Sequence, residues 1–234
     1  MKLPNTFLWT LLAATAAVLA PAALPVSAAE PAKTILDRMD ASAPGFRSVE
    51  GGYRRVKHTA IINDEAEESG ELRMTKTGGK IRVLIDLTKP DPKLYSLSEN
   101  KVEIFFPKIN TVQEYDLGKQ KGLVEQFLLL GFGSSGKDLT KNYAIKATGE
   151  ETIDGQPTTR LELTPKSAKI QEYFSKVEVW IPAGASHAVR QRVYEKSGDT
   201  MTFYYSGLKL NSGLAASAVE LKLPPGVKRE FPGK

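Results

Sequence analysis

Apolar and polar side chains alternate along much of this chain. In Ile81-Arg82-Val83-Leu84-Ile85-Asp86-Leu87, the residues Ile81, Val83, Ile85 and Leu87 share one face, the parity of a half-buried strand. Residues 102–106 repeat it through Val102, Ile104 and Phe106, as do 159–164 (Leu161, Leu163), 177–181 (Val177, Val179, Ile181) and 201–205 (Met201, Phe203, Tyr205). Residues 219–223 close the predicted series with Val219, Leu221 and Leu223. Turn formers separate these runs: Thr77-Gly78-Gly79, Pro90-Asp91-Pro92, Asp154-Gly155, Ala183-Gly184 and Ser197-Gly198-Asp199. The pattern predicts one large antiparallel sheet with one apolar and one polar face.

Two segments carry helical spacing instead. Residues 32–41 place Ile35, Leu36 and Met39 on one stripe before Pro44 and Gly45, and residues 122–130 do the same with Leu123, Val124, Phe127 and Leu128 before Gly131. Two short amphipathic helices cover only part of such a sheet, so the apolar face has room for something else.

The start of the chain follows different rules. Lys2 precedes an apolar run over residues 7–20, and Ser27-Ala28-Ala29 supplies small residues at a cleavage site; residues 1–29 read as a secretory signal peptide. The run is short for a spanning helix. The chain has no cysteine, which removes both disulfides and the thiol that carries a lipoprotein's lipid. The expectation is an exported, periplasmic protein without a lipid anchor, with residues 30–234 forming a single domain.

Charge changes this picture little. Lysines and arginines number 32 against 27 acidic residues, and the signs are interspersed, so the surface is mildly basic and no nucleic-acid interface is expected. Catalytic patterns are weak. Gly131, Gly136 and Lys137 match part of a phosphate loop, but Asp138 stands where Ser or Thr would bind magnesium. His58 and His187 are the only histidines and lie far apart, which argues against zinc, and no G-x-S-x-G turn presents a serine. No enzyme activity, cofactor or metal is expected.

The ordered set Gly70-Glu71-Leu72-Arg73-Met74, Lys80-Ile81-Arg82, the strand 102–106 with Pro107 and Asn110, Leu128-Leu129-Leu130, Leu163-Thr164-Pro165-Lys166, Val177-Glu178-Val179-Trp180-Ile181 and Leu223-Pro224-Pro225-Gly226-Val227 resembles the LolA-type outer-membrane lipoprotein carriers. The resemblance implies a mainly β fold with some α, its sheet curved into an unclosed half-barrel and capped by lid helices. It implies a cavity for lipoprotein acyl chains, lined here by Met74, Val83, Ile85, Leu87, Ile104, Phe106, Val179 and Phe203. The lid would be Leu123, Val124, Phe127 and Leu128. Lys76 is the nearest match to a family arginine that holds the lid shut, although a lysine lacks the planar fork of a guanidinium. Implied partners are acylated lipoproteins, an inner-membrane releasing transporter and an outer-membrane receptor, with the carrier itself a monomer. A lipid-binding envelope sensor of the same fold is the alternative.

Overall fold

Glycines, prolines and left-handed corners divide the chain into twelve strands that form a single sheet. The computed structural model describes residues 30–232; the expected signal peptide, residues 1–29, lies outside the described residues. The strands are β1 (Ser48–Thr59), β2 (Asp64–Thr77), β3 (Lys80–Lys89), β4 (Lys93–Ser98), β5 (Lys101–Phe106), β6 (Thr111–Asp116), β7 (Tyr143–Ile153), β8 (Gln156–Pro165), β9 (Phe174–Pro182), β10 (Arg190–Glu195), β11 (Thr200–Leu210) and β12 (Lys228–Glu230). Their spatial order is β12-β6-β5-β4-β3-β2-β1-β11-β10-β9-β8-β7, so the sheet is open, not closed into a barrel. Neighbours are antiparallel except β12, which runs parallel to β6. All five predicted turns fall between consecutive strands of this ladder.

Two hairpin halves meet where β1 pairs with β11, and Gly51 lies there tight against Ser206 and Leu208 of β11; one pairing further on, a Cβ at Gly70 of β2 would collide with the β3 backbone at Asp86 and Leu87. The register slips beside both positions, between Glu50 and Gly52 and between Ser69 and Gly70, as bulges that bend a sheet require.

Helices α1 (Ala32–Ser42), α2 (Lys121–Leu129) and α3 (Gly136–Asn142) contribute apolar side chains to the core on the sheet's apolar face, and α4 (Ala168–Gln171) bridges β8 and β9. Both predicted helices are present within a residue or two. The third was not expected: Gly136-Lys137-Asp138-Leu139 is polar apart from Leu139, yet Ser135 caps it by accepting from the Asp138 N–H at 3.0 Å. The α3 start packs on α1 so closely that a Cβ on Gly136 would overlap the Leu36 carbonyl.

The predicted strand 219–223 does not form. A 3-10 turn, Ala216–Val219, lies against β2 and β3 there, and the last pairing comes later, at β12. Asn211 starts this return with φ +54, accepting from the N–H groups of Arg47 (2.8 Å) and Ser48 (3.2 Å) and donating to the Gly45 carbonyl at 3.0 Å. Val219 is buried, as are Leu84, Phe105 and Val112. The last three share the parity opposite to Val83 and Leu97, so they belong to the outer face. The outer face, which the sequence pattern reads as polar, thus carries buried apolar side chains, and the 216–219 turn lies on the sheet at β2 and β3.

A concave apolar face under a helical lid

Strand register assembles the candidate site. One row crosses the sheet as Leu210, Val49, Met74, Val83, Leu97 and Val102. On the other half, Phe203 pairs with Gln191, Gln191 with Val179 and Val179 with Leu161. Met74, Val83, Leu87, Val179 and Phe203, five of the predicted cavity residues, are buried in one apolar cluster; Ile85 is half-buried and packs against it. Ile104 and Phe106 hold the same parity on β5, half-buried, and lie outside that cluster.

The face is filled in this structure. Ile35 and Met39 of α1, Leu130 and Phe132 after α2, and Leu139 of α3 all belong to the same buried cluster. Helix α2 adds Val124, Phe127 and Leu128 as half-buried side chains; the side chain of Leu123 lies outside the described residues. The Phe127 ring stands edge-on to Phe203, 5.9 Å between centroids, and is tilted against Phe174 at 6.2 Å. A predicted lid residue therefore touches a predicted cavity residue. Each such aromatic pair adds about 1 kcal/mol to its area burial.

The other helices carry polar anchors. Arg38 of α1 donates to the Ala185 carbonyl at 2.6 Å and forms a fork with Glu30, whose hydrogen bonds hold the Glu30 carboxyl below its usual range. The Lys137 N–H at the start of α3 donates to Asp40 of α1 at 3.0 Å. Just past α2, the Gly131 carbonyl accepts from the Ala188 N–H at 3.0 Å. The described apolar contacts of α2 sit between these tied points.

Lys76 stands on the concave parity beside Ile81, in a depression of about 360 Å³ with Ala43, Pro44, Phe46 and Arg47. Its backbone N–H donates to the Arg47 carbonyl at 2.7 Å. The planar donor at this corner is Arg47, which the sequence pattern did not single out; its Nη1 donates to the carbonyls of Pro44 (2.7 Å) and Phe46 (3.0 Å).

Three polar features on this face also escaped the sequence pattern. Arg55, Glu68 and Lys93 form an ion cluster at one end of it, Lys93 Nζ 2.7 Å from Glu68. Burial pushes the Glu68 carboxyl up, but the Lys93 hydrogen bond and the Arg55 charge outweigh it and hold the group ionised below its usual range. Tyr53 and Tyr205 are buried side by side, and burial raises both hydroxyls far above the ordinary tyrosine value. Gln191, 2 % exposed, accepts from the Tyr205 hydroxyl at 2.6 Å.

A depression of about 750 Å³ lies elsewhere, between the outer-face side chains Arg54, Ser69, Glu71, Asp86 and Tyr204 and the β7–β8 turn. Its charged lining does not suit an acyl chain. Trp180 is also on the outer face, donating to Glu151 at 2.8 Å beneath the Arg190 guanidinium, 3.8 Å from its ring centre. His187 is half-buried in the β9–β10 loop, and burial lowers its pKa; His58 faces Glu65 at the β1–β2 tip, 3.9 Å away. No helix among the described residues is long and apolar enough to cross a membrane.

The architecture is an unclosed, mostly antiparallel sheet with helices on its concave side. An uncharacterized conserved protein from Thermus thermophilus superposes with a TM-score of 0.53 at 12% identity, covering 86% of this chain and 98% of that one. MucB superposes at 0.51 with 15% identity; the match covers 82% of this chain and 62% of MucB. A LolA superfamily protein from Nitrosomonas europaea aligns at 17% identity with a TM-score of 0.37, over 82% of this chain and 99% of that one. A family profile described as "-like: Uncharacterized protein" matches residues 105–219. No protein in the curated set matches the sequence.

Proposed function

We propose that this protein is a periplasmic carrier that shelters the acyl chains of lipoproteins between membranes. The observation that supports the reading best is the apolar concave face, continuous from Val83 to Val179 and covered at Phe127 by contacts between rings. An acyl chain offers the same kind of surface as that helix, at about 0.8 kcal/mol per buried CH₂, so a chain of ordinary length can replace the Phe127 contacts. Loading is then an exchange of one apolar cover for another, without covalent chemistry. The donor would be an inner-membrane releasing transporter and the acceptor an outer-membrane receptor.

The test is titration of the mature chain with a naphthylamine dye, followed by extraction of a lipoprotein from vesicles. Ile85 faces Leu72 and Tyr95 on the concave side, so Ile85→Asp places an uncompensated carboxylate in the site and should abolish dye binding. Ile104→Asp, on the more open β5, serves if that variant does not fold. Parent-like dye affinity in either folded variant would overturn the assignment.

A second reading is favoured by the superposition on MucB, a protein also solved in complex with MucA. In that reading the chain senses envelope lipid and signals through a partner. A sensor binds the dye but leaves lipoprotein in the vesicles; a carrier removes it.

A further inference from the structure

Gln191 is a polar residue in an apolar row. Its register partners are Phe203 on β11 and Val179 on β9, both on the concave face. Its side chain is buried, and its Oε1 is taken by the Tyr205 hydroxyl at 2.6 Å. Its Nε2 is buried with no hydrogen-bond partner among the described residues. Tyr205 is fully enclosed and holds its proton by burial, so this hydroxyl keeps the amide turned with its nitrogen outward from the pair.

What covers the amide is the joint of the lid. A Cβ built on Gly131, two residues past α2, would lie 3.0 Å from Nε2 and 3.1 Å from the amide carbon. Glycine is the residue that lets the chain lie flat on this amide without pushing it aside. Beneath the 129–133 segment there is thus an oriented N–H donor with no acceptor among the described residues. Buried donors are nearly always satisfied, and a persistent exception calls for an explanation.

We propose that Gln191 Nε2 is the anchor for an acyl carbonyl, the ester or amide oxygen where a fatty chain joins its carrier. This rests on the lipid-binding reading above and narrows its ligand to chains bearing a carbonyl. When the Gly131 joint lifts, the oxygen takes the position over the amide while the chain follows the Phe203–Val179 surface. The apolar rows bind any chain; Gln191 fixes its depth.

Dye displacement by a C16 fatty-acid methyl ester and by an alkane of matched length separates the two claims. The ester-to-alkane affinity ratio should be about fivefold to tenfold higher in the parent than in a variant without the donor, the effect of one satisfied buried hydrogen bond. Gln191→Met combined with Tyr205→Phe keeps the length and flexibility of the side chain, removes the donor, and leaves no buried hydroxyl without the acceptor it has in the parent. It should bind the alkane as the parent does and lose the ester preference. An equal ester preference in both proteins would overturn the anchor while leaving the cavity intact. Displacement by neither ligand in the parent would overturn the cavity as well. The infrared band of a ¹³C-labelled ester carbonyl bound to the parent gives an answer without any variant. A shift to lower frequency than in hexadecane is expected; an unshifted band removes the anchor.

Discussion

At the scale of single residues, the proposed latch belongs at the corner between α1 and β1. Arg47 Nη1 donates to the Pro44 and Phe46 carbonyls, whereas Lys76 contributes a backbone N–H and a flexible ammonium one strand away. The guanidinium is planar and loses less freedom in holding two acceptors than a lysine ammonium would. Arg47→Ala should therefore speed loading from vesicles severalfold, while Lys76→Ala should leave the rate within about twofold, the usual result for a substitution at a site without fixed partners. Stopped-flow loading rates check both; a larger effect at Lys76 would return the latch to β2. Lys76 was visible in sequence because the resemblance supplied a position for it. Arg47 was not, because its acceptors are backbone carbonyls created by the corner itself.

At the scale of elements, legibility followed amphipathicity. β3, β5, β8, β9 and β11 were readable because apolar side chains recur at every second position along them, although Leu84, Phe105 and Trp180 are buried on the outer face as well. β1, with Gly51-Gly52 followed by Arg54-Arg55, and the acid-rich start of β2 show no such recurrence; pairing on both sides holds them in the sheet. β7 is an edge strand, exposed along most of its length, and β10 hides Gln191 where the pattern expects an apolar residue. α2 was readable, but its role depends on packing that periodicity does not encode. If it is a gate, Phe127→Ala should weaken the closed state by about 2 kcal/mol, since the ring is only half-buried. That converts to a rise of roughly thirtyfold in the open population. Hydrogen exchange across residues 121–129 and dye loading should both accelerate, with little change in the melting temperature. A lowered melting temperature with unchanged loading would make α2 an ordinary part of the core.

At the scale of the whole molecule, the sheet is covered on both faces by segments of different kinds. Helices cover the concave side, and the returning C-terminal segment lies against β2 and β3 and then pairs with β6, on a sheet whose outer side buries Leu84, Phe105 and Val112. The sequence pattern assigned residues 219–223 to the sheet because Val219, Leu221 and Leu223 alternate, and alternation does not distinguish a strand within a sheet from an extended segment lying across one. The return is fastened where it ends: the Lys228 N–H donates to the Asn110 carbonyl at 3.0 Å, and Arg229 reaches Glu114 at 3.1 Å and Glu103 at 3.4 Å. The more exposed Arg229–Glu114 pair contributes little by itself. Burial matters more: if the return covers part of Leu84, Phe105 and Val112, uncovering them and losing Val219 costs about 3–6 kcal/mol, a large share of the roughly 5–15 kcal/mol that stabilises a domain. A chain ended after Ser212 should therefore melt much lower and bind a hydrophobic dye on its outer face. Val219→Ser in the full chain should lose about 1–3 kcal/mol by the same route, without altering ester binding on the opposite face. Calorimetry on both variants measures this. A truncated chain as stable as the parent would show that the outer strip tolerates water, and the segment would then be a detachable cover available to a partner.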